Sequence, residues 1–242
     1  DQADDIARHY YEKVDLSITE KNDKTVVSEG DLAIEKAIRD RLKVECPELE
    51  IYGEEFGSCD KDAPLKLIID PIDGTSNFIR KIPIFGTLLG IEKDGKIIAG
   101  LVSNPISNDR WYATRGNGAY YNDQQISVSK IENLENAQAF YGSLYGNEAR
   151  GNTENLIHLI SKSKRQRGIG DFLMHMWVAN GYGEFGIDFG LKAWDLAPLG
   201  IIVEEAGGLI TAVNGDPFDI YEGSILSSNG QFHHELVSLY NR

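Results

Sequence analysis

The stretch Asp70-Pro71-Ile72-Asp73-Gly74-Thr75-Ser76-Asn77-Phe78 carries two carboxylates three residues apart, just after an apolar run at residues 65–69. Pro71 fixes the backbone there, so Asp70 and Asp73 leave a buried strand on a rigid loop and can converge on one point. Two carboxylates held that close repel unless a cation lies between them, because unpaired charge out of water is costly. The turn therefore suits a hard divalent metal. Gly74 lets backbone approach a ligand closely, and Thr75 can open a helix whose first amides point at an anion. Asp-Pro and Asp-Gly are also common turn dipeptides and threonine a common helix cap, so alone the stretch supports a purely structural turn equally.

Other acids join it. Gly53-Glu54-Glu55 follows a strand-like segment at residues 49–52. Neighbours on an extended segment face opposite ways, so one of the two can reach a shared metal, and Glu54 is the choice; solvated surface acids are the plain alternative. Trp194-Asp195-Leu196 places an acid beside an aromatic before an apolar helix, where Asp195 can cap the helix or ligate a cation. Asp31, at the head of the first clear helix, is expected to cap it.

The five histidines show no triad or zinc-ligand spacing. His233-His234 reads as a surface pair near an exposed C-terminal helix, and His175, among Met174, Met176 and Trp177, as a core histidine. Gly116-Asn117-Gly118 lacks the strand, helix and third glycine of a nucleotide fingerprint and reads as a β-turn.

The elements that must position these residues can be read from periodicity. Residues 30–44 carry apolar side chains at helical spacing, with Pro47 as a stop. Residues 65–69, 85–91 and 96–102 are strand-like, the last two joined by the hairpin signal Asp94-Gly95. Residues 110–114 and 119–121 continue the β-rich half, with a possible edge at 127–129. After about Asn136 helix and strand alternate: helices at 151–164, 171–181 and 196–206, the first ending in the basic run Lys162, Lys164, Arg165 and Arg167, then a strand at 209–213. The sum is an α/β or layered α+β architecture. A boundary between Lys130 and Ala139 divides it into an N-terminal lobe, 1–135, with most of the candidate acids, and a C-terminal lobe, 136–242, that completes the site.

The 242 residues carry a formal charge of −14, which disfavours nucleic-acid or anionic-membrane surfaces and fits cation binding. No apolar stretch reaches the roughly 18 residues of a membrane helix and no signal-peptide pattern opens the chain, although a start at Asp1 leaves a trimmed leader open. Cys46 and Cys59 are too few for a disulfide scaffold or a four-thiolate zinc site, and a reducing cytoplasm is the expectation.

The motifs GEE at Gly53, DPIDGT at Asp70, WD at Trp194 and EEAGG at Glu204 resemble the inositol monophosphatase family in order and approximate spacing, over nearly the whole chain. The resemblance implies the αβαβα sandwich of the inositol monophosphatase/fructose-1,6-bisphosphatase type, dependence on two or three Mg²⁺ per active site, sensitivity to Li⁺ and a homodimer. It implies that Glu54, Asp70 and the carbonyl of Ile72 hold one Mg²⁺, that Asp70, Asp73 and Asp195 hold a second, and that Glu54 shares a third. Thr75, backed by Asp31, would position and deprotonate the attacking water, and the Gly74 and Thr75 amides would bind the phosphate. Oxygen-only ligands suit Mg²⁺ over zinc.

The family hosts inositol, histidinol, fructose and nucleotide phosphatases. Phe85-Gly86-Thr87-Leu88-Leu89, with Pro105 and Arg110-Trp111, is similar to the histidinol-phosphatase branch. Gly170-Asp171-Phe172 stands where the inositol branch carries small residues. Asp171, together with Asp188 at the position of the family's substrate-binding acid and Asp195, would favour an ester bearing an ammonium and an imidazole over an uncharged polyol. Asp171 can also cap the helix that follows it. Histidinol phosphate is the expected substrate, inositol 1-phosphate or another sugar phosphate the alternative within the family, and a non-catalytic cation-binding protein the alternative from another class.

Overall fold

The computed structural model describes residues 1–20, 26–57, 63–144 and 151–241. The chain opens with α1 (Gln2–Glu12), β1 (Ile18–Glu20), β2 (Val26–Ser28), α2 (Glu29–Glu45), β3 (Glu50–Gly53), β4 (Leu65–Asp73) and α3 (Thr75–Ile79). Strands β5 (Gly86–Lys93), β6 (Lys96–Asn104), β7 (Asp109–Thr114), β8 (Ala119–Tyr121) and β9 (Gln124–Gln125) follow. The second half runs β10 (Gln138–Tyr141), α4 (Thr153–Ile160), β11 (Arg165–Gly168), α5 (Asp171–Ala179), β12 (Phe185–Phe189), α6 (Ala193–Glu205), β13 (Leu209–Thr211), β14 (Ser224–Ser228) and α7 (His233–Tyr240).

Strands β3 to β9 form a seven-stranded sheet in chain order, antiparallel except for the parallel β3–β4 pair. A five-stranded sheet has the order β11-β10-β12-β14-β13, parallel at β11-β10-β12 and antiparallel elsewhere. β4 is buried along nearly its whole length, as a strand covered on both faces must be. On one side Leu67 and Ile69 meet Ile38 and Leu42 of α2. On the other Ile68 joins the core that α5 and α6 fill between the two sheets. α4 and α7 close the far face of the five-stranded sheet through Leu156, Leu159, Leu236 and Tyr240. The succession is helix, sheet, helix, sheet, helix.

α6 explains the close layering. Its sequence is apolar on nearly all sides because both faces meet a sheet. A Cβ on Gly90 would lie 2.6 Å from Ala197 Cβ, and one on Gly100 2.8 Å from Pro198 Cα, so only glycine lets the helix touch the β5 and β6 backbones. The β5–β6 hairpin turns at Asp94 and Gly95 with φ of 49° and 75°, the left-handed pair its sequence predicts.

Several expectations are corrected. Residues 127–129 form no strand; this segment is tied instead by Val128 N–H to the Ala206 carbonyl. The basic run does not end a helix: α4 stops at Ile160, and Arg165–Gly168 is β11, parallel to β10. His233 is buried, not on the surface, between Thr211 Oγ1 at 2.9 Å and Ser228 Oγ at 2.8 Å. His175 is in the core, with Nδ1 2.8 Å from Ser227 Oγ and Nε2 unpartnered. The Gly116–Gly118 turn joins β7 to β8, and its Gly116 and Gly118 amides donate to the Glu205 carboxylate. Cys46 is a free thiol and Cys59 lies outside the described residues.

Candidate active site

β4 does not stop at Ile69, where the sequence predicts a break. Its pairing with β5 continues to Asp70 opposite Leu88, slips, and resumes at Asp73 opposite Gly86. Three steps on β4 thus oppose two on β5, a bulge at Pro71, which has no amide to contribute to the ladder. In a regular strand residues three apart face opposite ways; the extra residue returns Asp70 and Asp73 to one side. Thr87 Oγ1 donates to the Pro71 carbonyl at 2.9 Å and fixes the bulge.

α6 brings the third acid. Asp195 is not its N-cap but sits in its first turn, reaching back to the amide of the cap residue Lys192. One ligand oxygen from each of Asp70, Asp73 and Asp195 lies within 4.8 Å of the others. Each carboxylate also has one oxygen fixed by a backbone amide. Asp70 Oδ1 accepts from Ile72 N at 3.0 Å, Asp73 Oδ2 from Phe172 N at 2.6 Å, and Asp195 Oδ2 from Lys192 N at 2.7 Å. The second oxygen of each is left for the cluster.

Glu54 lies in the turn after β3 and lines the same cleft, of about 610 Å³. On α2, Asp31 belongs to a capping box: its Oδ2 accepts from Ser28 N and Oγ, while Oδ1 lies 3.2 Å from Thr75 Oγ1. The N-cap of α2 is thus Ser28, and Asp31 caps from the third helical position as Asp195 does in α6, while also contacting Thr75. Thr75 Oγ1 is also 3.0 Å from the Ile72 carbonyl. Gly74, with φ 84°, precedes the short helix α3, and a Cβ there would lie 3.0 Å from the Ile84 carbonyl.

Asp171 lines the cleft as well, but is the first residue of α5 and not its cap; the Phe172 amide in that first turn is taken by Asp73. Asp171 has φ 56° and its Oδ2 accepts from Asn77 Nδ2. Asp188 is buried behind the cleft at the end of β12, held by the Phe189 amide.

Burial raises the aspartate carboxyls of the site, and for most of them neighbouring acids add to it. Asp70 and Asp73 are pushed well above the carboxylate range, by burial first and then by Glu54, Asp73 and Asp195 around Asp70, and by Asp171 and Asp195 around Asp73. Burial raises Asp195 to about 7 and Asp188 to about 8, against the backbone bonds that favour their ionised forms. Asp31 is pushed to about 6 by burial and by Glu54, against the Ser28 bonds, and Asp171 to about 6 by burial against Asn77. Oxygen donors that repel one another and are this poorly solvated fit a hard divalent cation, and the Ile72 carbonyl keeps a lone pair for it.

Motif reading missed the basic side chains. Arg80, Lys192 and Ser143, all exposed, also line this acidic cleft. Neither cation falls in a recognisable motif; only the fold brings them to the cleft. A larger groove, about 1040 Å³, lies between the β5–β6 hairpin and residues 216–222, but its charged groups include the ion pair Arg115–Glu204 and it holds none of the clustered acids.

Comparisons with known proteins give the family. The profile of the inositol monophosphatase family matches residues 2–241. A histidinol-phosphatase of Mycobacterium tuberculosis is 36% identical, covering 100% of this chain and 94% of that protein, and an inositol-1-monophosphatase of Caulobacter vibrioides 29% identical over 96% and 93%. The extragenic suppressor protein SuhB from Bartonella henselae superposes with a TM-score of 0.92 at 29% identity, over 100% of this chain and 95% of that one. The Thermotoga maritima IMPase superposes at 0.89 and 31%, over 99% and 92%. The chain belongs to the inositol monophosphatase family of metal-dependent phosphatases and is a phosphoric monoester hydrolase.

Proposed function

We propose that the chain hydrolyses histidinol phosphate. The observation that carries this reading is Asp171: a carboxylate in the cleft beyond the Asp70–Asp73–Asp195 cluster, held by Asn77 and available to a cationic group on the ester. Histidinol phosphate carries an ammonium and an ionisable imidazole, inositol phosphate neither, and only the former gains from added carboxylates. Relatives named histidinol-phosphatase cover the full chain.

Glu54, Asp70, Asp73, Asp195 and the Ile72 carbonyl would hold two or three Mg²⁺. When bound, Mg²⁺ supplies positive charge to the phosphate oxygens and lowers the pKa of coordinated water. The Gly74 and Thr75 amides would orient the phosphate, with Arg80 and Lys192 at its outer side. Thr75 Oγ1 would orient the attacking water and pass its proton to Asp31 Oδ1, 3.2 Å away. The water oxygen bonds to phosphorus, the ester bond breaks, and histidinol leaves with a proton from solvent.

Comparison of kcat/KM for L-histidinol phosphate and inositol 1-phosphate with Mg²⁺ tests the assignment. A clear preference for the inositol ester would overturn it in favour of inositol monophosphatase activity. A homodimer and inhibition by Li⁺ belong to the same proposal, checked by sedimentation and by LiCl titration.

A further inference from the structure

Among the described residues, Glu54 is the one acid lining the cleft that is carried by a turn alone, at residues 54–56, rather than by a strand end or the first turn of a helix. Three backbone bonds shape that turn: Gly53 and Gly57 pair in both directions, and Glu54 N–H donates to the Ile69 carbonyl. The rest of its anchorage comes from Glu35 on α2, which is completely buried. Glu35 Oε2 accepts from Glu55 N at 2.8 Å and Oε1 from Phe56 N at 3.3 Å. Arg39, one turn along the helix, donates Nε to Glu35 Oε1 at 2.8 Å and Nη2 to the Gly57 carbonyl at 2.8 Å. A Cβ on Gly53 would lie 2.0 Å from Glu35 Oε1, so this carboxylate occupies the space where any other residue at 53 would place a side chain.

A buried ion pair adds little net stability over apolar side chains of the same volume. What Glu35 supplies that a leucine cannot is directed acceptance of the two amides that follow Glu54. Asp31 and Glu35 are four residues apart and so share one face of α2, the first touching Thr75 and the second the turn of Glu54. We propose that Glu35 is a positioning residue: its carboxylate, steadied by Arg39, locks the turn so that Glu54 is presented to the cation site in one conformation. The inference rests on the proposed role of Glu54 as a metal ligand. Groups that orient a ligand from behind typically change metal affinity by about 10–100-fold when removed.

The test is Mg²⁺ binding to the substrate-free protein by titration calorimetry, alongside the Mg²⁺ dependence of kcat and the melting temperature in EDTA, for Glu35→Gln, Glu54→Gln and the double variant. Glu35→Gln is expected to weaken Mg²⁺ binding about 10–100-fold, to regain most of kcat at saturating Mg²⁺, and to have no further effect in the Glu54→Gln background. Arg39→Lys, which keeps the charge but gives up the bond to Gly57, is expected to shift Mg²⁺ binding in the same direction by less, and serves as the test if Glu35→Gln does not fold. A lowered melting temperature with unchanged Mg²⁺ affinity would overturn the proposal and leave Glu35 a structural anchor. Unchanged Mg²⁺ affinity in Glu54→Gln itself would instead overturn the ligand role of Glu54.

Discussion

Asn77 Nδ2 lies 2.8 Å from Asp171 Oδ2 and 2.9 Å from the Ile84 carbonyl, so one amide ties α3 and the segment after it to the first residue of α5. Asp171 takes a left-handed backbone conformation that asparagine also tolerates. Asp171→Asn therefore removes the charge and keeps the shape. A hydrogen bond to a charged group is worth about 1.5–3 kcal/mol, so kcat/KM for histidinol phosphate is expected to fall about 10–100-fold. Turnover of inositol 1-phosphate should change little. Steady-state kinetics on both esters checks this; equal losses would make Asp171 structural.

The cluster acids repel one another when no cation screens them, which sets activity against stability. Asp70→Asn keeps an oxygen for the Ile72 amide and removes a carboxyl that burial and its acidic neighbours force to hold its proton. Activity should fall by at least the ~10–100-fold typical of lost outer support for a metal. The melting temperature in EDTA should rise, because a neutral amide replaces a repelled carboxyl. Calorimetry with and without Mg²⁺ measures both; a lower melting temperature in EDTA would contradict the repulsion argument.

The legible part of the site is what local chemistry dictates. Asp70 and Asp73 could be read as a converging pair because Pro71 and Gly74 mark a rigid turn, and α2 because its apolar spacing is regular. The bulge was hidden: a Pro after a strand signals a break, and only pairing with β5 shows that the ladder resumes at Asp73. Asp195 reads either as a cap or as a cation ligand, because its role depends on where α6 starts, and helix ends are the least determined part of a periodic pattern. Arg80, Lys192 and the Glu35 anchor were not legible, since each acts across elements far apart in sequence. His233 was misjudged because an adjacent His-His pair gives no sign that Thr211 and Ser228 converge on it.

The raised carboxyls set a pH dependence of the metal-free protein. Asp31 and Asp171 near 6, Asp195 near 7 and Asp188 near 8 all hold protons more tightly folded than unfolded, where aspartate titrates near 3.9. The folded state then binds more protons between about pH 4 and 8, so its stability is greatest below that window and declines as pH rises through it. In EDTA the melting temperature should drop from pH 5.5 to 8.5. With saturating Mg²⁺ the decline should flatten or reverse, because the cation competes with these protons and binds more tightly as they leave. Thermal scans across the range decide it, and a rising curve in EDTA would show that these groups are ionised in the metal-free fold.

Thr75 and Asp31 form one unit, and their variants should show it. Thr75→Val keeps the branched shape of the side chain and removes the hydroxyl that contacts Asp31 Oδ1 and the Ile72 carbonyl. Asp31→Asn keeps an oxygen for Ser28 and removes the proton acceptor. Loss of general-base catalysis is worth about 10²–10⁴-fold, so kcat should fall by that order in each variant. Mg²⁺ binding, which relies on other oxygens, should stay near the wild-type value. Groups that act as a unit are strongly non-additive, so the double variant should be no slower than the worse single one. Losses that multiply would mean that Thr75 orients water and Asp31 only caps α2, with the proton leaving by another route.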